Sequence, residues 1–281
     1  MNEHELLRAI YARSTPSQQI SIGPGDDMGE LTIGKERVLC AVDQLVVGRH
    51  VQPETPPELI GRKAIARCFS DIAAMAATPI GALMTACIPP NTSNTWCETL
   101  FASAQEVAQQ WGGPIFGGDI ASSEGPAVFT VTAIATPGTR AITRTGAHVG
   151  DYICVTGELG NSIVDHHLSF TPRIKEAHEL VNSLGGHLHS MIDISDGLGQ
   201  DASHLATDQL QLVIDTALLP LRKEATIDSA ISDGEDYELL FTSAVKPPAN
   251  LAKVIGKVEL GTRKVITTSG TVISDCGWNH Q

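Results

Sequence analysis

Apolar positions recur along this chain in two rhythms, one near 3.6 residues and one of two residues, and the rhythms alternate from end to end. Leu6, Leu7, Ile10 and Tyr11 fall at helical spacing and predict a short amphipathic helix over 3–13. Arg37 to Asp43 reads as a buried strand ending on a carboxylate, and Gln44 to His50 as a second, loosely alternating segment. Pro57 opens a long helix over 58–77, which carries Ser70 and Asp71 on an Ala-rich face and is stopped by Pro79. A strand over 80–88, a helix over 91–111 and a strand ending at Asp119 in a glycine turn come next. The cleanest alternation, residues 127–135, predicts a β-strand.

Pro137 and Gly138 begin a connector that runs to Gly150, and the same alternation restarts after it. Strands are predicted over 152–156, 191–193, 210–214 and 238–242, helices over 173–184 and from about 198 to 205, and a strand-like tail over 254–273. Helices and strands interleaved in both halves predict an α/β chain built of α+β layers. Two domains are expected, 1–138 and 139–281.

Composition narrows the function. The 281 residues are 42% hydrophobic and 18% charged, enough apolar content for a real core, with only 4% aromatic side chains. The net charge of −13 and the lack of a basic stripe argue against nucleic acid as a partner. Phosphate ligands remain compatible if divalent cations neutralise the acids. Six cysteines without a C-x-x-C pair suggest reduced, buried thiols and a cytoplasmic protein. No apolar run reaches the ~20 residues of a membrane span, and the acidic N-terminus is not that of a signal peptide.

The chemistry sits in acidic punctuation. Asp26 and Asp27 lie in Gly23-Pro-Gly-Asp-Asp-Met-Gly29, a Gly/Pro loop that alone is an ordinary turn. Asp43, Asp119 and Asp193 each follow apolar runs, Asp71 sits on the helix, and Asp196, Glu235 and Asp236 lie in further Gly loops. Several carboxylates near strand ends are costly unless cations pair with them, and hard oxygen ligands suit Mg²⁺, Mn²⁺ or Ca²⁺ rather than zinc. No P-loop, dinucleotide fingerprint, EF-hand, H-E-x-x-H, G-x-S-x-G or protein-kinase signature is found. Asp71 could instead pair with Arg67. His166, His167, His187 and His189 read as a solvated helix end rather than a metal tract.

In order, these pieces resemble the thiamine-monophosphate kinase family, within the superfamily of aminoimidazole ribonucleotide synthetase. The resemblance rests on Gly23-Pro-Gly-Asp-Asp27, Asp43-Gln-Leu-Val-Val-Gly-Arg-His50, Gly61-Arg-Lys-Ala64 with Ser70-Asp-Ile-Ala-Ala-Met75, Gly117-Gly-Asp119, and Arg144 to Asp151. It continues through Val155 to Ser162, Thr171-Pro-Arg173, Ile192-Asp-Ile-Ser-Asp-Gly-Leu198, Gly234 to Phe241 and Gly277-Trp-Asn-His280. It implies an aminoimidazole ribonucleotide synthetase-like fold with a mixed sheet packed by helices in each domain. The first domain would bind metal and ATP and dimerise, and the second would complete the cleft.

The implied reaction is direct, in-line transfer of the ATP γ-phosphoryl to thiamine monophosphate with several Mg²⁺ ions, in a homodimer. By position, Asp27, Asp43, Asp71, Asp119, Asp193 and Asp196 would be metal ligands, with Asp27, Asp71, Asp119 and Asp193 catalytic. Gly118, Asp119, Arg144 and Ser195 would contact ATP; His50, Glu235 and Trp278 would face the thiamine phosphate. Departures from the pattern are Met28, Ala41, Val42, Cys68, Ala76, Ile120, Asp233, Gln281 and a short 162–171 segment. They keep open a different acceptor, or a degenerate nucleotide-binding protein.

Overall fold

A computed structural model describes residues 3–15 and 17–278; His280 and Gln281 lie outside them. Strands pair into two six-stranded sheets, and helices connect and cover them. The first half runs α1 (Glu3–Tyr11), β1 (Ile20–Ile22), β2 (Gly29–Ile33), β3 (Glu36–Val46), α2 (Pro57–Ala74), β4 (Thr78–Ile88), α3 (Asn94–Gln110), β5 (Ile115–Ser122) and β6 (Val128–Thr136). The second runs β7 (Tyr152–Val155), α4 (His166–Ser169), α5 (Ile174–Leu184), β8 (Leu188–Asp193), α6 (Leu198–Leu205), β9 (Leu210–Ile214), α7 (Ile227–Ser232), β10 (Leu239–Ser243), β11 (Lys253–Leu260) and β12 (Lys264–Thr267). Strand orders are β1-β2-β3-β6-β4-β5 and β12-β9-β11-β7-β10-β8. Both sheets are mixed: β4–β5 and β9–β12 pair in parallel and the other named pairs are antiparallel.

Four predicted endings fall differently. β3 does not end at Asp43 but continues to Val46, because Leu39, Ala41, Asp43 and Leu45 all keep to the face covered by helices. Gly117-Gly118-Asp119 is not a turn but the middle of β5, where a Cβ at Gly118 would run into the Met84 carbonyl of the neighbouring strand. Pro79 does not stop the helix; α2 ends at Ala74, Ala76 turns the chain at φ 50°, and Pro79 lies within β4. The tail is two strands, 253–260 and 264–267.

Most of α2 is buried between the layers; Glu58 is exposed at its start, and Arg62, Lys63, Arg67, Ser70 and Asp71 are its other polar side chains. Ile60, Ala64, Ile65, Cys68, Phe69 and Ile72 pack with Leu39, Met84, Phe129 and Val131 of the first sheet. Its end, Ala73 and Ala74, joins Cys154, Met191, Leu239 and Phe241 of the second. α2 is therefore the seam between the layers, and its polar side chains emerge into the cleft beside it. Met28 is buried in the first core, its N–H meeting Met75 Sδ. All six cysteines are free; Cys68 and Cys154 are buried and the rest half-buried. Among the described residues no helix is long and apolar enough to cross a membrane.

Candidate active site

Three of the predicted carboxylates converge. Asp27 comes from the Gly/Pro loop, Asp71 from α2 and Asp193 from the end of β8, and one oxygen from each lies within 4.8 Å of the others. The strands and helix put them there for local reasons. Asp193 ends an apolar strand, and Ser70, next to Asp71, donates its hydroxyl proton to Asp193 Oδ2 at 2.6 Å. Arg144 grips Asp27 Oδ1 through Nε at 3.1 Å and Nη2 at 2.6 Å, while its backbone N–H meets Asp26.

Like charges this close, out of water, resist ionising. Burial, then the charges of Asp193, Asp43 and Asp27, pushes the Asp71 carboxyl well above its ordinary range. Burial and Asp27 raise Asp193 to about 7 against the Ser70 hydrogen bond and Arg144. Burial also raises Asp27, although Arg144 opposes it. Asp27 Oδ2 is buried with no hydrogen-bond partner. An orphaned carboxylate oxygen beside two further carboxylates is a donor set that fits a hard divalent cation such as Mg²⁺.

Asp43 and Asp196 sit beside this group rather than in it. Asp43 pairs with Arg67 of α2, Nε to Oδ2 at 3.2 Å, so Arg67 meets Asp43 and not Asp71. With His50, Ser195, Asp196, Glu235 and Trp278, Asp43 lines a cavity of about 310 Å³. Six predicted residues thus line one cavity. Asp119 does not join them. It is exposed on edge strand β5, in register with Thr85, on the face that carries Val42 and away from α2. Ala41 and Val42 straddle the same sheet, Ala41 in the core and Val42 exposed.

Behind Glu235 and His50 lies a group that the pattern did not reveal. Lys63 of α2 is fully buried; its ammonium donates to Glu235 Oε2 and to the His50 carbonyl at 2.7 Å, and lies 2.7 Å from His167 Nδ1. Burial pulls Lys63 down to about 8 despite Glu235. Against its own burial, His167, Lys63 and Arg67 hold Glu235 at about 2. His167 is therefore a cleft residue, not part of a solvated helix end, and His166 Nε2 meets the Asp236 carbonyl at 3.0 Å. The signal for Lys63 was the one lysine in a helix rich in apolar residues, which must be paired if the helix is covered. His50 is set by the Val46 N–H donating to its Nδ1 at 2.9 Å, which leaves the proton on Nε2.

The Gly234–Glu238 run is strained and pinned. Glu235 and Tyr237 have φ of 55° and 50°, a region that bulky residues occupy only under constraint. Asp236 binds Arg222 at 2.8 Å, Tyr237 stacks on Phe170 at 4.0 Å, and Glu238 takes Arg173 and the Thr156 hydroxyl. Those three anchors leave Glu235 facing the cavity. Asp201, overlooked in the sequence, accepts the N–H groups of Ser195, Asp196 and Gly197 at 2.9, 2.9 and 3.1 Å and so fixes that loop. The Trp278 backbone N–H donates to the Asp196 carbonyl at 2.7 Å, and Arg49 covers the Trp278 ring at 4.8 Å.

Residues 25–136 match the family model of the AIR synthase related protein N-terminal domain. The chain is 30% identical to the thiamine-monophosphate kinase of Rhodopirellula baltica over 93% of its own length and 92% of the relative. It is 32% identical to that of Escherichia coli K12 over 85% and 82%. A solved structure described as AaThiL complexed with AMPPCP and TMP superposes with a TM-score of 0.89 at 27% identity, covering 100% of this chain and 97% of that one.

Proposed function

The chain belongs to the thiamine-monophosphate kinase family, and from that we propose that it phosphorylates thiamine monophosphate to the diphosphate at the expense of ATP, by direct in-line transfer. The observation that carries this reading is the buried Asp27–Asp71–Asp193 group with its orphaned oxygen, next to a cavity lined by Asp43, His50, Ser195, Asp196, Glu235 and Trp278. The relative bound to AMPPCP and TMP supports it.

Asp27, Asp71 and Asp193, with Asp43 and Asp196 beside them, would hold more than one Mg²⁺. The ions would supply charge neutralisation between two phosphate-bearing substrates and polarise the transferred group. The protein's own part is placement. Arg144 stays charged against Asp27 and sets that carboxylate's direction. Asp201 holds Ser195 N–H and its neighbours in one loop toward the nucleotide side. Lys63 keeps Glu235 ionised and aimed at the acceptor, with His50 and Trp278 lining the same cavity. A terminal phosphate oxygen of the acceptor is already an anionic nucleophile, so positioning, not proton abstraction, limits the demand on the site.

We further propose a homodimer. The sheet face opposite α2 and α3 shows Val42 at 66% exposure, and Phe116 and Ile120 at 63% and 65% lie on its edge strand. Gly118 and Asp119 share that edge strand, so a second copy laid there would bring them beside a neighbouring chain. The decisive experiment incubates the chain with ATP, Mg²⁺ and thiamine monophosphate and follows ADP and thiamine diphosphate. ADP release without diphosphate formation, or no turnover, would defeat the reading.

A further inference from the structure

Away from the acidic cleft, three ligating atoms meet where the connector reaches β8. His189 Nδ1 lies 2.8 Å from Asp151 Oδ2 and 3.1 Å from His148 Nδ1, and all three atoms lie within 4.8 Å of one another. The imidazoles meet edge to face with centroids 4.4 Å apart. The set is anchored: Asp151 is buried, its Oδ2 also accepts the His148 N–H at 2.8 Å, and its backbone bonds to Val258 of β11. His148 is exposed, so the group opens to solvent.

One proton on His189 Nδ1 can serve Asp151 or His148, but not both. A cation serves all three. Ligands about 2.0–2.1 Å from a tetrahedral ion stand roughly 3.3 Å apart, so the two contacts of His189 Nδ1 need to open by only a few tenths of an ångström, and His148 Nδ1 and Asp151 Oδ2 already lie within 4.8 Å. Two imidazoles and a carboxylate suit zinc-like borderline ions; Mg²⁺ prefers oxygen alone.

We propose that His148, Asp151 and His189 form a binding site for a divalent transition-metal ion of the Zn²⁺ class, separate from the carboxylate cleft and with a coordination position open to solvent. The ion would staple the connector to β8. That segment already leans on β8 through the Met191 N–H donating to the Thr143 carbonyl at 3.0 Å and through Arg140 on the Leu188 carbonyl. It also carries Arg144, four residues before His148, whose guanidinium holds Asp27. Occupancy therefore steadies the segment that presents Arg144.

The test is calorimetric titration of the full chain with ZnCl₂ in saturating Mg²⁺, repeated on His148→Ala and His189→Gln, with Co²⁺ absorption as a second readout. The expected result is about one Zn²⁺ per chain, bound in the micromolar range or tighter and weakened about 100-fold or more in either variant, since even indirect partners of a metal cost 10–100-fold. Co²⁺ should give the visible bands of a nitrogen-ligated site in the wild type and lose them in both variants. His148→Ala, an exposed change, should keep its turnover in zinc-free Mg²⁺ buffer. Wild-type chain that takes up no Zn²⁺ under Mg²⁺, or variants that bind Zn²⁺ as the wild type does, would overturn the assignment.

Discussion

Replacing Lys63 with Met should destabilise the chain by about 3–5 kcal/mol, because deleting one partner of a buried ion pair strands the other. Lys63 is fully buried, and Glu235 keeps its charge because Lys63, His167 and Arg67 face it. The intact pair itself lies near break-even. Glu235 falls from an ordinary 4.5 to about 2 and Lys63 from 10.5 to about 8. At about 1.4 kcal/mol per unit, the first favours folding by roughly 3 kcal/mol and the second opposes it by roughly the same. The Glu235 contribution is complete above its unfolded value and is lost as pH falls through about 2; the Lys63 cost is complete below about 8 and fades as pH rises toward 10.5. Lys63→Met combined with Glu235→Leu swaps charge for apolar volume and should recover most of the single-variant loss. The assay is the urea midpoint and apparent melting temperature of both singles and the double, where the single loss corresponds to roughly 10 °C. If Lys63→Met melts within 2 °C of the wild type, or the double is no more stable than Lys63→Met, the pairing argument fails. The double variant should be folded and inactive, because Glu235 faces the cavity.

Asp71→Asn should abolish turnover yet raise the melting temperature in EDTA, since it removes one of three mutually repelling carboxylates; a lower melting point in EDTA would contradict the crowding. Asp193 and Asp236, both raised to about 7, favour the protonated folded state, so metal-free protein should lose stability as pH rises from about 4 to 7. Denaturation at pH 5 and 8 checks this, and added Mg²⁺ should flatten the difference. Gly234→Ala places a Cβ at φ 71°, 2.7 Å from the Ser195 carbonyl, so it should cost about 1–2 kcal/mol from the backbone alone and weaken ATP binding. Unchanged KM for ATP in that variant would remove the loop from the nucleotide side.

What the sequence revealed were groups whose placement is local. Asp193 was legible as a carboxylate at a buried strand end because an apolar run stops on it and a Gly loop follows. Asp27 was legible for the same kind of reason. Asp43 was read as a strand terminus because Gln44 breaks the apolar run, but alternation continues at Leu45, and a core-facing acid is tolerated there by Arg67 across the layer. Lys63 and Glu235 are 172 residues apart, and no period or spacing encodes that they meet. His167 was hidden likewise, since its surroundings come from α2 and from the Gly234 loop. Asp119 follows an apolar run as Asp193 does, yet its strand is an exposed edge, which depends on sheet order and not on local pattern.

α2 also acts as a ruler. Lys63, Arg67 and Asp71 recur every fourth residue, with Ser70 alongside, and so form one stripe on a single rigid rod. At 1.5 Å per residue the backbone rises about 12 Å along the axis from Lys63 to Asp71. The axial spacing of Lys63 and Asp71 is therefore set by helical pitch rather than by how the two sheets happen to dock. A single residue inserted between Lys63 and Asp71 would turn one end of the stripe by about 100° and move it out of the cleft, while a full four-residue turn would lengthen the gauge and nearly keep its direction.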